Sequence, residues 1–448
     1  MCGIFGIFSQ TSNVSNTELL YKSLKSLQHR GKDGYGICFL SNQNDITFLR
    51  NKGLIPTQIP LIPTKSCIGH LRYSTSGYSL KTGKIQTHEL QPLRGIIPDY
   101  EYCLAHNGNI PNIAGYDTQF LNKEIMKQNQ TMSMDRRLIN LMMNVPASYC
   151  LLILTPNALY AVRDRYGIRP LCIGKDPHNY YVSSESCAFE DHINFVRDVK
   201  PGEIVRIDQN GINNVFLHPK PQNSLCSFEL LYFASEHSYI DGINIKNLRK
   251  NLGAILAKKE NNLSYWSNYT VIGIPETGIC SGKAYAEYLN LTYKQAIKKR
   301  ANQTRTFIIL DEQERKLACD NKFDYDCKKI KDKNVIIVDD TIVRGNIIKS
   351  IIKHLKECGV GEIHIRIPAP PVIDICELGI AITKKEELLM NDKTIEEARK
   401  ELEVDSLVFL TTEELEHFPE KTYNQCFTGE LESTIREFKQ PFPQLKVL

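Results

Sequence analysis

The stretch NVIIVDDTIVRGN (334–346) does most to restrict what this chain can become. Val335–Val338 are apolar without alternation, as in a strand buried on both faces, and two carboxylates follow at once. Beyond Gly345, the residues Ile348, Ile351, Ile352 and Leu355 form one stripe of a helix ending near Gly359, and EIHIRI (362–367) reads as the next strand. Strand, helix and strand joined by short loops build a parallel sheet, which needs cover on both faces. YTVIGIP (269–275), with a helix-like stretch over 281–289, repeats the unit. The Glu- and Lys-rich segment 383–417 reads as a solvent-facing helical continuation.

The first half has another grain. CGIFGIF (2–8), YGICFL (35–40), SYCLLIL (148–154) and ALYAV (158–162) are short apolar runs ending at turn residues, as buried strands do. Between the first two lies a helix, with Ser15 and Glu18 as a capping-box pair, Leu20, Leu24 and Leu27 on one face, and Gly31 as a stop. LHPKPQNS (217–224) breaks the pattern with two prolines, and a boundary is expected there. The expected organisation is α/β throughout, with domains over 2–220 and 225–420 and a tail over 421–448.

The length of 448 residues suits such a chain, and a net charge of +4 without a basic stripe argues against nucleic acid as a partner. No run of about 18 apolar residues suggests a membrane span, and MCGIFGIFSQ lacks the charged and long apolar regions of a signal peptide. The 14 cysteines include no CxxC pair, which excludes zinc ribbons and thioredoxin-type motifs. A cytoplasmic enzyme with mostly reduced thiols is expected.

Cys2 carries the first candidate chemistry. With Met1 removed, thiol and α-amino group share one residue, and an amine with an ordinary pKa of about 7.7–8 can take up the thiol proton. A cysteine here also reads as a small apolar filler. However, the polar, glycine-bearing segments LQHRGKDGYGI (27–37), IGHLRYSTSG (68–77), ELQPL (89–93) and LAHNGNI (104–110) are not what a packed core asks for. MCGIFGI, HRG, GHLRYST and HNGNI in this order resemble the class II glutamine amidotransferases with an N-terminal nucleophile. That resemblance implies a four-layer αββα sandwich with Cys2 as nucleophile on the glutamine amide. It further implies that Asn107 and Gly108 form an oxyanion hole, a device worth about 3 kcal/mol per donor. Arg72 would hold the substrate α-carboxylate, Asp135 its α-amino group, and Arg30 would be structural near the nucleophile. The family has a second acid two positions after Asp135, where this chain has Arg137. His29, His70 and His106 are expected to be hydrogen-bonded loop or core residues, since this chemistry needs no histidine.

The strand–DD–loop–helix of 335–346 suits a phosphate, because a helix N-terminus offers unpaired N–H groups. Without IVRG the acid pair would equally read as a helix cap. With it, the segment resembles the ribose-phosphate loop of type I phosphoribosyltransferases. The resemblance places Asp339 and Asp340 at the ribose hydroxyls and Mg²⁺, and wraps Thr341, Val343, Arg344, Gly345 and Asn346 around the 5′-phosphate. GIPETGI (273–279) resembles the pyrophosphate loop, with Thr277 as a magnesium-associated hydroxyl. KKRANQTRTF (298–307) resembles the mobile flap, with Lys299 and Arg305 as anchors; a solvated basic loop is the plainer reading. Asn346 and Ile347 stand where the family has hydroxyl residues, which implies weaker phosphate binding.

Both halves together resemble the glutamine phosphoribosylpyrophosphate amidotransferases. AVRDRYGIRPL (161–171), SSESCAF (183–189), VKPGEI (199–204) and CSFELLYFASEHSYIDG (226–242) extend the likeness. It implies transfer of ammonia from glutamine to phosphoribosyl diphosphate at the head of purine synthesis, Mg²⁺ as cofactor, homotetramers and inhibition by purine nucleotides. One branch of the family holds a cubane iron–sulfur cluster on four thiolates. Cys226, Cys376 and Cys426 stand at three of those positions, but Tyr423 takes the fourth, so loss of the cluster is expected. A catalytically reduced, nucleotide-binding regulator is the alternative, and the joint presence of Cys2, Asn107, Gly108, Asp339 and Asp340 speaks against it.

Overall fold

The computed structural model describes residues 1–9, 16–57, 60–74, 86–111, 113, 115–300, 319–378, 380, 382, 384–415, 418–419 and 422–430. In the first half, two antiparallel sheets pack face to face. One has seven strands in the order Asn194–Asp198, Cys172–Lys175, Asn179–Ser183, Gly3–Ser9, Ser66–Arg72, Gly34–Leu40 and Ile46–Lys52. The other has six, in the order Gly211–Leu217, Glu203–Asp208, Leu159–Arg163, Ser148–Leu154, Tyr100–Asn109 and Leu93–Ile97. Alternation sorts the strand Gly3–Ser9 onto two cores: Ile4 and Phe8 meet Leu152 and Leu159 between the sheets, while Phe5 and Ile7 meet Leu20, Leu24 and Leu27 of the helix Thr17–Ser26. Helices Asp117–Met126 and Met134–Asn144 cover the other sheet through Leu121, Ile125, Leu138 and Leu141. The result is the expected helix–sheet–sheet–helix sandwich.

The second half holds a five-stranded parallel sheet in the order Thr292–Tyr293, Tyr269–Gly273, Asn334–Val338, Ile363–Ile367 and Ser406–Phe409. Helices Gly278–Tyr288 and Asn346–Glu357 follow its strands, and the second buries the stripe Ile348, Ile351, Ile352 and Leu355. Between the halves the chain is pinned. The amides of Gln222, Ser224 and Cys226 donate to the carbonyls of Arg165 (2.8 Å), Tyr166 (2.7 Å) and Ile168 (3.2 Å).

Three expectations need correction. The first helix starts at Thr17 with Asn16 as N-cap, and the Asn16 side chain donates to the Lys65 carbonyl at 2.9 Å rather than capping its own helix; Ser15 lies outside the described residues. Segment 383–417 is not one helix. A helix over Ile395–Leu402 stops where Glu403 turns to φ 53°, and Ser406–Phe409 then becomes the sheet's edge strand, burying Leu407 and Phe409. High local charge concealed that short alternation. Of the cysteines expected to be reduced filler, Cys38 is bonded to Cys103 and Cys327 to Cys358, while ten cysteines are free. The first bond joins the two sheets, across a separation of 65 residues that spacing alone does not reveal. No helix among the described residues is long and apolar enough to cross a membrane.

Arg137, the departure noted in the sequence, is a buried staple. Its guanidinium donates to the carbonyls of Ile125 (2.9 Å), Asn129 (2.8 Å) and Met132 (2.9 Å), closing the end of the helix Asp117–Met126. Arg137→Leu strands these acceptors, and the unfolding free energy is expected to fall by about 3 kcal/mol or more in urea titrations. A loss below about 1 kcal/mol would mean that other donors serve them.

Candidate active sites

The pairing of Gly3–Ser9 with Ser66–Arg72 sets Gly3 opposite Leu71 as its last pair, which leaves Cys2 and the Arg72–Tyr73 segment just beyond it. The Cys2 thiol lies 3.6 Å from the Tyr73 carbonyl, and the Tyr73 amide donates to the sulfur at 3.5 Å. From the opposite sheet, Asn107 accepts the Cys2 backbone N–H on Oδ1 at 3.1 Å. Its Nδ2 is buried and has no partner among the described residues. A buried amide donor left open beside a thiol is what a developing oxyanion requires. Gly108 follows; a Cβ there would lie 2.0 Å from the Ser148 carbonyl oxygen, so only glycine lets the strands approach.

Arg72 is buried, 5.3 Å from the Tyr116 ring, and pairs with Glu89 at 3.2 Å. Asp135 lies apart from this group. Its carboxylate accepts from Tyr160 Oη at 2.6 Å and pairs with Arg206 at 2.6 Å. Tyr160 is in register with Ile153, and Ile153 with Leu104, three residues or about 10 Å along the strand from Asn107. The helix Met134–Asn144 turns Asp135 to the outside, which separates it from Cys2.

Arg30 donates Nε to the Cys2 carbonyl at 2.9 Å and ion-pairs through Nη1 with Glu229 at 2.6 Å and with Glu185. Glu185 also takes His29 Nε2 at 2.8 Å, Ser238 Oγ at 2.7 Å and the Ser235 amide at 2.8 Å. Against the cost of burial, His29 and Arg30 hold the Glu185 carboxyl well below the usual range, and the two acids keep Arg30 charged. Glu229, Ser235 and Ser238 come from the second half, so the Cys2 backbone is tied to it directly. Neither Glu185 nor Glu229 was singled out by sequence as a site residue; a carboxylate inside a buried run, as in SSES (183–186), was the available signal. Burial also lowers the pKa of His70 and His106, which favours their neutral forms.

In the second half, Asp339 and Asp340 emerge from the strand Asn334–Val338. Burial pushes both carboxyls up, with the charge of Asp340 adding to the shift of Asp339. Thr277 Oγ1 donates to one Asp340 oxygen and Thr341 Oγ1 to the other at 2.7 Å. Gly345, at φ 78°, turns the loop into the helix, and the first intrahelical bond runs from Lys349 to Gly345 at 2.9 Å. The amides of Asn346, Ile347 and Ile348 are therefore the unpaired donors of the first turn. Val343 accepts the Leu389 amide at 2.8 Å, Arg344 pairs with Glu387 at 2.5 Å, and Lys299 with Glu276 at 3.0 Å. Arg305 lies outside the described residues. A cavity of about 820 Å³ gathers Thr277, Lys299 and the 339–346 loop, with His29 and Lys32 reaching in from the first half. It also takes in the buried Arg249 and the half-buried Lys322, cations that the sequence did not single out. Tyr73, beside the thiol, meets Phe233 edge-on at 6.0 Å, and Phe233 lines the cavity. An aromatic wall thus joins the two places.

Cys226 sits beside Tyr423 in a two-stranded parallel pair; Cys376 is close enough to perturb both, and Cys426 to perturb Tyr423. Burial pushes the Cys226 thiol up to about 11 and the Cys426 thiol and Tyr423 phenol well above their usual values. The phenol donates to Gln425 Oε1.

Models of a glutamine amidotransferase domain and a phosphoribosyl transferase domain match residues 79–191 and 243–370. A curated amidophosphoribosyltransferase from Methanocaldococcus jannaschii is 33% identical over 93% of each chain, and one from Bacillus subtilis is 31% identical over 97% of this chain and 94% of its own. This chain belongs to the amidophosphoribosyltransferase family. As an amidophosphoribosyltransferase it transfers ammonia from glutamine to 5-phosphoribosyl 1-diphosphate, giving phosphoribosylamine in the first step of purine biosynthesis. The solved glutamine phosphoribosylpyrophosphate amidotransferase from B. subtilis, complexed with ADP and GMP, superposes with a TM-score of 0.83 at 31% identity, covering 96% of this chain and 97% of that one. A structure described as the allosteric regulatory enzyme of purine biosynthesis gives 0.84 at 30% identity, covering 96% of each. In this amidophosphoribosyltransferase, Glu185→Ala removes one of the two acids on buried Arg30 and is expected to cost about 3–5 kcal/mol in thermal or urea unfolding. Unchanged stability would mean that Glu229 alone satisfies the guanidinium.

Proposed function

We propose that Cys2, Asn107, Gly108 and Arg72 run the glutamine half of this reaction, and that the loops around Asp339 and Asp340 run the phosphoribosyl half, over domains 2–220 and 225–420 with a tail over 421–448. The observation that carries the first assignment is Asn107, whose Oδ1 is taken by Cys2 and whose Nδ2 is left open. Once Met1 is removed, the α-amine of Cys2 receives the thiol proton and Sγ attacks the side-chain carbonyl carbon of glutamine. The oxyanion meets Asn107 Nδ2 and the Gly108 N–H, while Arg72 holds the α-carboxylate. Collapse, with the proton passed from the α-ammonium of Cys2 to the leaving nitrogen, releases ammonia and leaves a glutamyl thioester, which water cleaves to glutamate and the free thiol. Ammonia passes along the Tyr73–Phe233 wall, away from water that would protonate it, and displaces pyrophosphate at the anomeric carbon.

In the acceptor site, the amides of 346–348 and the loop from Thr341 to Gly345 cradle the 5′-phosphate, and Asp339 and Asp340 face the ribose hydroxyls. Hard oxygen donors from Thr277, Asp339 and Asp340 fit magnesium, and the raised carboxyl pKa values mark a pair that gains from a cation. When bound, the ion neutralises charge on the leaving diphosphate. Lys299 lines the same cavity, and with Arg305 it is assigned to the flap over the phosphoribosyl diphosphate. Cytoplasmic location, a homotetramer and purine nucleotide inhibition complete the reading, the last supported by the ADP and GMP bound in the B. subtilis relative.

Three thiols and a neutral, hydrogen-bonded phenol do not make a four-thiolate site, and no step is assigned to a cluster. Anaerobically purified protein is expected to show no broad absorbance near about 400 nm, the mark of thiolate-bound iron–sulfur; such a band would overturn this. The central test is pyrophosphate release. Cys2→Ala is expected to abolish it with glutamine and to leave it intact with ammonium, and failure of ammonium rescue refutes the two-site assignment.

A further inference from the structure

A site that selects an α-amino acid over analogues needs a cation for the carboxylate and an anion for the ammonium, because a buried group left unpaired rejects the wrong ligand. Arg72 supplies the cation. Asp135, the acid suggested by sequence, is engaged by Tyr160 and Arg206, is 29% exposed, and stands about three residues along the sheet from Asn107. Another acid lies against Arg72. Glu89 places Oε2 at 3.2 Å from Nη2 and its backbone carbonyl at 3.1 Å from Nη1, with side-chain exposures of only 3% for Arg72 and 1% for Glu89.

This pair belongs to the nucleophile's surroundings. Arg72 directly precedes Tyr73, whose amide and carbonyl meet the Cys2 thiol, and Gln91, two residues after Glu89, accepts the His106 amide at 2.6 Å, fastening the segment to the strand that carries Asn107. Two desolvated charges in contact add little net stability, so packing does not account for them. We propose that Glu89 receives the α-ammonium of glutamine while Arg72 receives its α-carboxylate. The incoming zwitterion exchanges one ion pair for two of the same signs, so no buried charge is left alone before or after binding. Asp135 then has no part in recognition.

The inference rests on the glutaminase assignment of Cys2, and the experiment separates the two. Glutaminase kcat/KM is measured with glutamine and with glutaramate, which is glutamine without its α-amino group. The unmodified enzyme is expected to prefer glutamine by about 100-fold or more. In Glu89→Gln the preference falls to within about 10-fold, through a raised KM for glutamine with that for glutaramate little changed. Asp135→Asn keeps the full preference. A full preference in Glu89→Gln, or a collapsed one in Asp135→Asn, overturns the inference. Should Glu89→Gln also lose ammonium-supported activity through misfolding, the Asp135→Asn arm decides alone: intact preference supports the inference and collapse refutes it. An unmodified enzyme that hydrolyses neither compound fails at Cys2 instead.

Discussion

Arg30 is a full positive charge buried from solvent, and much of the molecule is arranged to make that tolerable. Two carboxylates and the carbonyl of Cys2 surround it, one carboxylate from each half of the chain. Isolated, such a charge would cost several kcal/mol; paired, it holds three distant segments in one geometry. The position of Cys2 and the docking of the second half are therefore two readings of one interaction. Arg169 adds to the hub, reaching Glu229 at 3.5 Å and the Leu378 carbonyl at 2.6 Å.

The thiol's immediate setting follows from strand pairing more than from loops. Opposing registers bring Tyr73 and Arg72 to Cys2 from one neighbour strand, and face-to-face packing brings Asn107 from the other sheet. The acceptor site is built differently. There a parallel strand ends in two acids, a left-handed glycine turns the chain, and a helix presents its first amides. Antiparallel stacking creates a site in the fold's interior, whereas the parallel sheet opens one at its carboxyl end. The cavity lies where the second meets residues of the first.

What was legible in the sequence is what depends on near neighbours. The run 148–154 is a strand with those bounds because apolar character starts and stops there, and the stripe from Ile348 to Leu355 is buried as its spacing demands. Asn107 and Gly108 stand in a polar, glycine-bearing segment with no structural excuse for being polar, the acid pair ends an apolar strand, and Cys2 heads an apolar run that is legible only through their company. Hidden features were of another kind. Arg30 finds its acids 155 and 199 residues away. Arg137 looks like a lost acid until its carbonyl partners are seen, and Asp135 looks well placed until the helix turns it outward. Ser406–Phe409 hides behind neighbouring charge because four residues are too few to set a period.

The passage between the halves is held by hydrogen bonds along Arg165–Ile168 and is no free tether. Two catalysts on a flexible cord meet at a concentration that the cord's length decides, and a small volatile product could escape between visits. Here that distance is written into the architecture. On the proposed assignment, the donor of nitrogen and its acceptor work as one reaction vessel with two chambers, whose yield depends on how well the wall between them is sealed and not on how often they collide.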